Sequence, residues 1–142
     1  MACILIADDD PVVRELAVEL LHSSDHAVVG AENGLEALRL IAAVPVDVLV
    51  IDMLMPVMDG VETILMVRHR HPQVKIIAIS SGGSIGARPL LGMARSLGAH
   101  VTLEKPLRSA TLMAAIEGLG EAPESGRTAA SRTAARLASQ RH

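Results

Sequence analysis

Five short apolar runs, CILIA (3–7), AVVGA (27–31), VLVI (48–51), IIAI (76–79) and VTL (101–103), punctuate the chain up to Glu104, and a helix-period pattern fills each gap between them. Most of these runs are apolar at consecutive rather than alternate positions, as a parallel strand covered on both faces requires. Over 11–22, Val13, Leu16, Ala17, Leu20 and Leu21 recur at i, i+3, i+4, i+7 and i+8, and Leu112, Ala115, Ile116 and Leu119 do the same within 108–119. Weaker stripes occupy 34–43, 60–70 and 89–97. Asp10-Pro11 and Asp59-Gly60 offer helix starts. Strand and helix in strict alternation predict an α/β fold: a doubly wound, five-stranded parallel sheet of five βα units with right-handed crossovers.

With 142 residues, half of them hydrophobic, the chain has material for one domain and its core. Phe, Tyr and Trp are absent, so Leu, Val, Ile, Ala and seven Met must fill that core. Base stacking on aromatic side chains is excluded. Residues 1–120 carry 9 basic and 14 acidic side chains, a net −5, and form the expected domain. Residues 121–142 carry 4 Arg and 2 Glu, a net +2, with Leu137 as the one large apolar residue, so a flexible basic tail is expected there. Cys3 is the single cysteine, which precludes an internal disulfide and fits a reducing compartment. The apolar start lacks a basic leader, and no run reaches the ~18 residues of a membrane span. A cytoplasmic location without membrane contact is expected.

Open parallel sheets bind ligands beyond the carboxyl ends of their strands. The polar residues there are Asp8-Asp9 after the first run, Asp52 after the third, Ser80-Ser81 after the fourth and Lys105-Pro106 after the fifth. Carboxylates gathered on one edge repel by up to about 4 kcal/mol per close pair unless a cation lies between them. Mg²⁺ suits such a cluster, because it accepts a few carboxylates and keeps positions for water and a phosphoryl oxygen. Lys105 and Ser80 suit phosphoryl oxygens. Together these residues predict a phosphoryl-transfer site with the Asp52 carboxylate as attacker.

DMLMPVMDG (52–60), the acidic pair Asp8-Asp9, IIAIS ending at Ser80, and GAHVTLEKP (98–106) occur in an order that resembles the receiver domain of bacterial two-component response regulators over about residues 3–119. The resemblance implies a flavodoxin-like fold with Asp52 as phosphoacceptor. It implies Mg²⁺ bound by the carboxylates of Asp9 and Asp52, by the backbone carbonyl of Leu54 and by Asp8 through water. It further implies Ser80 as the switch hydroxyl, Lys105 as the phosphoryl partner and a cis bond before Pro106. The implied phosphodonor is a sensor histidine kinase or a histidine phosphotransfer protein, and the implied output is a downstream protein target, with no direct DNA binding expected.

Two features depart from that pattern. Thr102 stands where the family usually carries an aromatic switch residue, three positions before the lysine. The segment between Ser80 and Lys105 is three residues longer than usual, and its glycine-rich part, SGGSIGARP (81–89), is expected to be a mobile loop replacing part of the fourth helix. A Mg²⁺-dependent aspartyl-phosphate hydrolase remains an alternative, although Leu54 breaks the D-x-D pattern of such enzymes. A receiver-like scaffold that works without phosphorylation is a second alternative, supported by Thr102. His69 and His71 point apart on a helix and read as a solvated basic helix end. Asp10 and Asp59 read as caps, and Met53, Met55 and Met58 as packing around the site.

Overall fold

The computed structural model describes residues 2–22, 25–81 and 86–120. The expected tail at 121–142 and the middle of the glycine-rich loop, 82–85, lie outside those residues. The elements are β1 (Cys3–Ala7), α1 (Pro11–His22), β2 (Ala27–Ala31), α2 (Gly34–Ala43), β3 (Val48–Asp52), α3 (Gly60–Arg70), β4 (Lys75–Ser80), α4 (Ala87–Leu97), β5 (Val101–Glu104) and α5 (Ser109–Gly120). The strands form one parallel sheet in the order β2-β1-β3-β4-β5. The order reverses beside β1, which opens a crevice at the carboxyl ends of β1 and β3.

The consecutive apolar residues in β1, β3 and β4 have a simple cause: each strand feeds two cores. Ile4, Ile6, Val48, Val50, Ile77 and Ile79 face one layer with Ala17 and Leu21 of α1 and Leu112 and Ile116 of α5. Leu5, Leu49, Ile51 and Ile76 face the other, against α2, α3 and α4. Burying one such side chain contributes about 1.5–3 kcal/mol, so a polar residue anywhere in these strands costs one core or the other. The outer strands β2 and β5 are not covered in this way; several of their residues are half-buried or exposed.

The caps form as their residue types dictate. Asp10 Oδ1 accepts the Val12 N–H at 2.9 Å, and Asp59 Oδ1 accepts the Glu62 N–H at 2.9 Å. Asn33, which the apolar pattern does not mark, caps α2 by accepting the Glu36 N–H at 2.8 Å. Two expectations need correction. Leu16, assigned by its spacing to the core side of α1, is 42% exposed, because α1 leans on the sheet through Ala17 and Leu21. Helix α4 begins at Ala87, ahead of the apolar stripe, and runs for eleven residues, so 87–89 at the end of the glycine-rich stretch belong to the helix and not to a loop, while 82–85 lie outside the described residues.

Close approach fixes the loop between β3 and α3. A β-carbon on Gly34 would lie 2.0 Å from Thr63 Oγ1 and 2.7 Å from the Met58 carbonyl, and one on Gly60 would lie 2.6 Å from Met53 Cα. The Gly34 N–H donates to the Met58 carbonyl at 3.2 Å, and the Gly60 N–H to the Met53 carbonyl at 3.2 Å. Met53 and Met55 are buried in the core beneath this loop, as expected of gap-filling side chains.

Candidate functional site

The parallel register carries the ends of β1, β3, β4 and β5 to one edge, and with them the polar residues that follow. One carboxylate oxygen from each of Asp8, Asp9 and Asp52 lies within 4.8 Å of the other two. Asp8 and Asp52 are buried and Asp9 is exposed, so the cluster opens to solvent on the Asp9 side. Lys105 Nζ lies 2.8 Å from Asp8 Oδ2 and 3.0 Å from Asp52 Oδ2. One ammonium thus serves two buried carboxylates.

Backbone groups hold these side chains in place. Asp52 Oδ1 accepts the Leu54 N–H at 3.1 Å, and Asp8 Oδ1 accepts the Asp10 N–H at 2.9 Å. The Lys105 N–H donates to the Ser80 carbonyl at 3.1 Å, which ties the lysine to the end of β4, and the Ser80 residue itself is buried. The Lys105-Pro106 bond is cis, as the resemblance implied.

The electrostatics follow from burial and pairing. Burial pushes the Asp52 carboxyl above its usual range, and the Leu54 N–H and Lys105 offset this in part. Burial also pulls the Lys105 ammonium down, but the hydrogen bonds and charges of Asp8 and Asp52 outweigh it and hold the group up. At neutral pH Lys105 is a fixed cation facing a carboxylate of raised basicity. Basicity and a neutralised approach are what a carboxylate needs to attack an electrophilic phosphorus.

The carboxylate cluster also fits a hard divalent cation, since its donors are all oxygens and one side is open for further oxygen ligands. Thr102 is half-buried, and its Oγ1 accepts a hydrogen bond from Arg95 Nη2 of α4 at 3.0 Å. A polar tie between α4 and β5 therefore occupies the aromatic position.

Sequence reasoning missed two features beside the site. The Arg14 guanidinium donates to the Asp8 backbone carbonyl; its spacing from Asp8 gave no signal, because it lies on a helix read only for its apolar stripe. Val57 adopts φ 71°, with the Met58 N–H donating to the Pro56 carbonyl at 2.8 Å, which is a γ-turn of the positive-φ hand. No glycine or asparagine marks that turn in the sequence.

The sequence matches the response regulator receiver domain family over residues 4–117. The chain belongs to that family. The chemotaxis protein CheY of Listeria monocytogenes is 33% identical over 118 residues, a stretch covering 82% of this chain and 97% of that protein. A protein-glutamate methylesterase/protein-glutamine glutaminase of Hahella chejuensis is 36% identical over 104 residues, 72% of this chain but only 30% of the enzyme. The match to the second relative is thus confined to under a third of its length. Among solved structures, the response regulator TrrA of Thermotoga maritima in complex with Mg(2+)-BeF superposes with a TM-score of 0.71 at 27% identity, covering 84% of this chain and 99% of that one. The receiver family and the five-stranded parallel architecture agree, and the chain carries the phosphorylatable switch domain of two-component signalling. Among the described residues, no helix is long and apolar enough to cross a membrane.

Proposed function

We propose that this receiver accepts a phosphoryl group on Asp52 from the phosphohistidine of a sensor histidine kinase or a histidine phosphotransfer protein, and that the phosphorylated form presents an altered surface to a downstream protein. The observation that carries this reading is the single Lys105 ammonium shared by the buried Asp8 and Asp52 carboxylates at the mouth of the crevice. In the transfer step an Asp52 carboxylate oxygen bonds to phosphorus while the P–N bond of the donor breaks, and the imidazole leaves with the bonding pair. Lys105 follows the charge from the carboxylate onto the phosphoryl oxygens, and Ser80 supplies a hydroxyl for another oxygen at the end of β4.

Asp9 and Asp52 through their carboxylates, Leu54 through its carbonyl and Asp8 through water would hold Mg²⁺. When bound, the ion neutralises the acidic cluster and the incoming phosphoryl charge. The TrrA structure, in complex with Mg(2+)-BeF, supports that assignment by similarity. Residues 1–120 are read as the receiver and 121–142 as an appended basic tail, with the cytoplasm as the compartment in which a lone unpaired Cys3 is at home.

Incubation with a small acyl-phosphate donor and Mg²⁺ should add one phosphoryl group, about 80 Da by intact mass, to the wild type and none to Asp52→Asn. An adduct that persists in Asp52→Asn overturns the assignment. Continuous turnover of a free phosphate ester would favour the hydrolase alternative instead.

A further inference from the structure

Three of the four polar groups of Asp8 are hydrogen-bonded, and the fourth, Oδ2, is held by an ion pair alone. Its N–H donates to the Ala31 carbonyl at 3.1 Å, Oδ1 accepts the Asp10 N–H, Oδ2 faces Lys105 Nζ, and its carbonyl accepts Nη1 of Arg14. Arg14 is the fourth residue of α1, at the close of its first turn, and reaches back across the end of β2. Its Cδ lies 3.5 Å from where a β-carbon on Gly30 would stand, so the stem runs over a residue that has no side chain. The next residue, Ala31, holds the Asp8 N–H. The end of β2 therefore grips Asp8 directly and also supports the arginine that grips its carbonyl.

The consequence falls on Asp9. The carbonyl of Asp8 and the nitrogen of Asp9 belong to one planar peptide, so anchoring the oxygen sets the direction in which the Asp9 Cα leaves that plane. Asp9 is the exposed member of the carboxylate cluster, and among the described residues no hydrogen bond or ion pair holds its side chain. Its location relative to Asp8 and Asp52 is left to the backbone. We infer that Arg14 is a positioning residue of the metal pocket, one that places the Asp9 carboxylate by anchoring the Asp8–Asp9 peptide. This rests on the reading of the pocket as a divalent-cation site.

Positioning and charge predict opposite signs. A guanidinium beside three carboxylates repels a dication, so on charge alone its removal tightens Mg²⁺ binding. If Arg14 positions Asp9, its removal weakens binding, by about 10-fold as is typical when the support of a metal ligand is lost. Calorimetric titration of Mg²⁺ into the full chain at fixed ionic strength decides between them. Arg14→Met should bind about 10-fold more weakly. Arg14→Lys should fall between Arg14→Met and the wild type, because it keeps the charge but gives up the planar fork. Equal or tighter binding by Arg14→Met overturns the inference. Should that variant fail to show a cooperative melt in chelator, Arg14→Lys carries the test alone, and an affinity equal to the wild type overturns the inference. A wild-type chain that takes up no Mg²⁺ brings down the pocket reading itself, a result separable from any difference between variants.

Discussion

His100 and Ile76 exchange two hydrogen bonds: the Ile76 N–H donates to His100 Nδ1 at 3.0 Å, and the His100 N–H donates to the Ile76 carbonyl at 2.8 Å. The ring thereby extends the pairing of β4 with β5 by one step at the end of the sheet remote from the carboxylates. Nδ1 can accept only while it is unprotonated. Partial desolvation, and then the like charges of Lys75 and Arg68, hold the imidazole below its ordinary 6.5.

A pH dependence of stability follows. The unfolded chain binds the proton more readily than the folded one, so this contribution is fully present above about pH 6.5 and is lost as the pH falls through the depressed folded value. Thermal melts between pH 7.5 and 5.5 should show a steeper decline in the wild type than in His100→Asn, whose amide oxygen can accept from Ile76 without titrating. Equal slopes would show that the His100 bond does not set the dependence.

Val57 holds a β-branched side chain at positive φ and is 77% exposed, so burial does little to offset the strain. Positive-φ backbone costs a β-branched residue roughly 1–3 kcal/mol, and asparagine, which is not branched at Cβ, less. Val57→Asn should raise the urea midpoint by the equivalent of about 1 kcal/mol. A lower midpoint would mean that the valine makes a compensating contact.

Glycines in helices should divide by their surroundings. A β-carbon on Gly92 or Gly118 meets nothing within 4 Å, so Gly92→Ala should stabilise the protein by about 1 kcal/mol through helix propensity. Gly34→Ala should destabilise it by about 1–3 kcal/mol, because the new methyl runs into Thr63 and the Met58 carbonyl. Denaturant unfolding of the two variants should move in opposite directions.

Leu54 is 42% exposed beside Asp52 and has no side-chain group with which to orient an attacking water. Leu54→Asn should therefore speed loss of phosphate from Asp52 about 10-fold, equal to about 1.4 kcal/mol of barrier. The decay of the phosphorylated mass species measures it, and an unchanged half-life would show that the side chain does not control water access.

The strands and the polar residues at their ends were legible because both depend on local rules. Two-sided burial writes consecutive apolar residues into the chain, and a parallel sheet then gathers Asp8, Asp52, Ser80 and Lys105 without further information. What stayed hidden depends on distance or on backbone. His100 reaches Ile76 across 24 positions, as His26 Nδ1 reaches the Ala2 N–H. Periodicity placed Leu16 on the correct helix but could not set how that helix rotates on the sheet. Val57 hid its turn by being the wrong residue type for it, and Arg14 looked like any arginine on an amphipathic helix.

The two aliphatic cores have an optical consequence. Lacking any tryptophan, tyrosine or phenylalanine ring, the protein is dark at 280 nm and gives no near-ultraviolet fluorescence. Its concentration must be read from peptide absorbance or amino-acid analysis, since absorbance at 280 nm in a preparation reports contaminants. In a mixture, the same silence gives any partner that contains tryptophan a background-free signal, so its docking to the receiver can be followed with no label on either molecule.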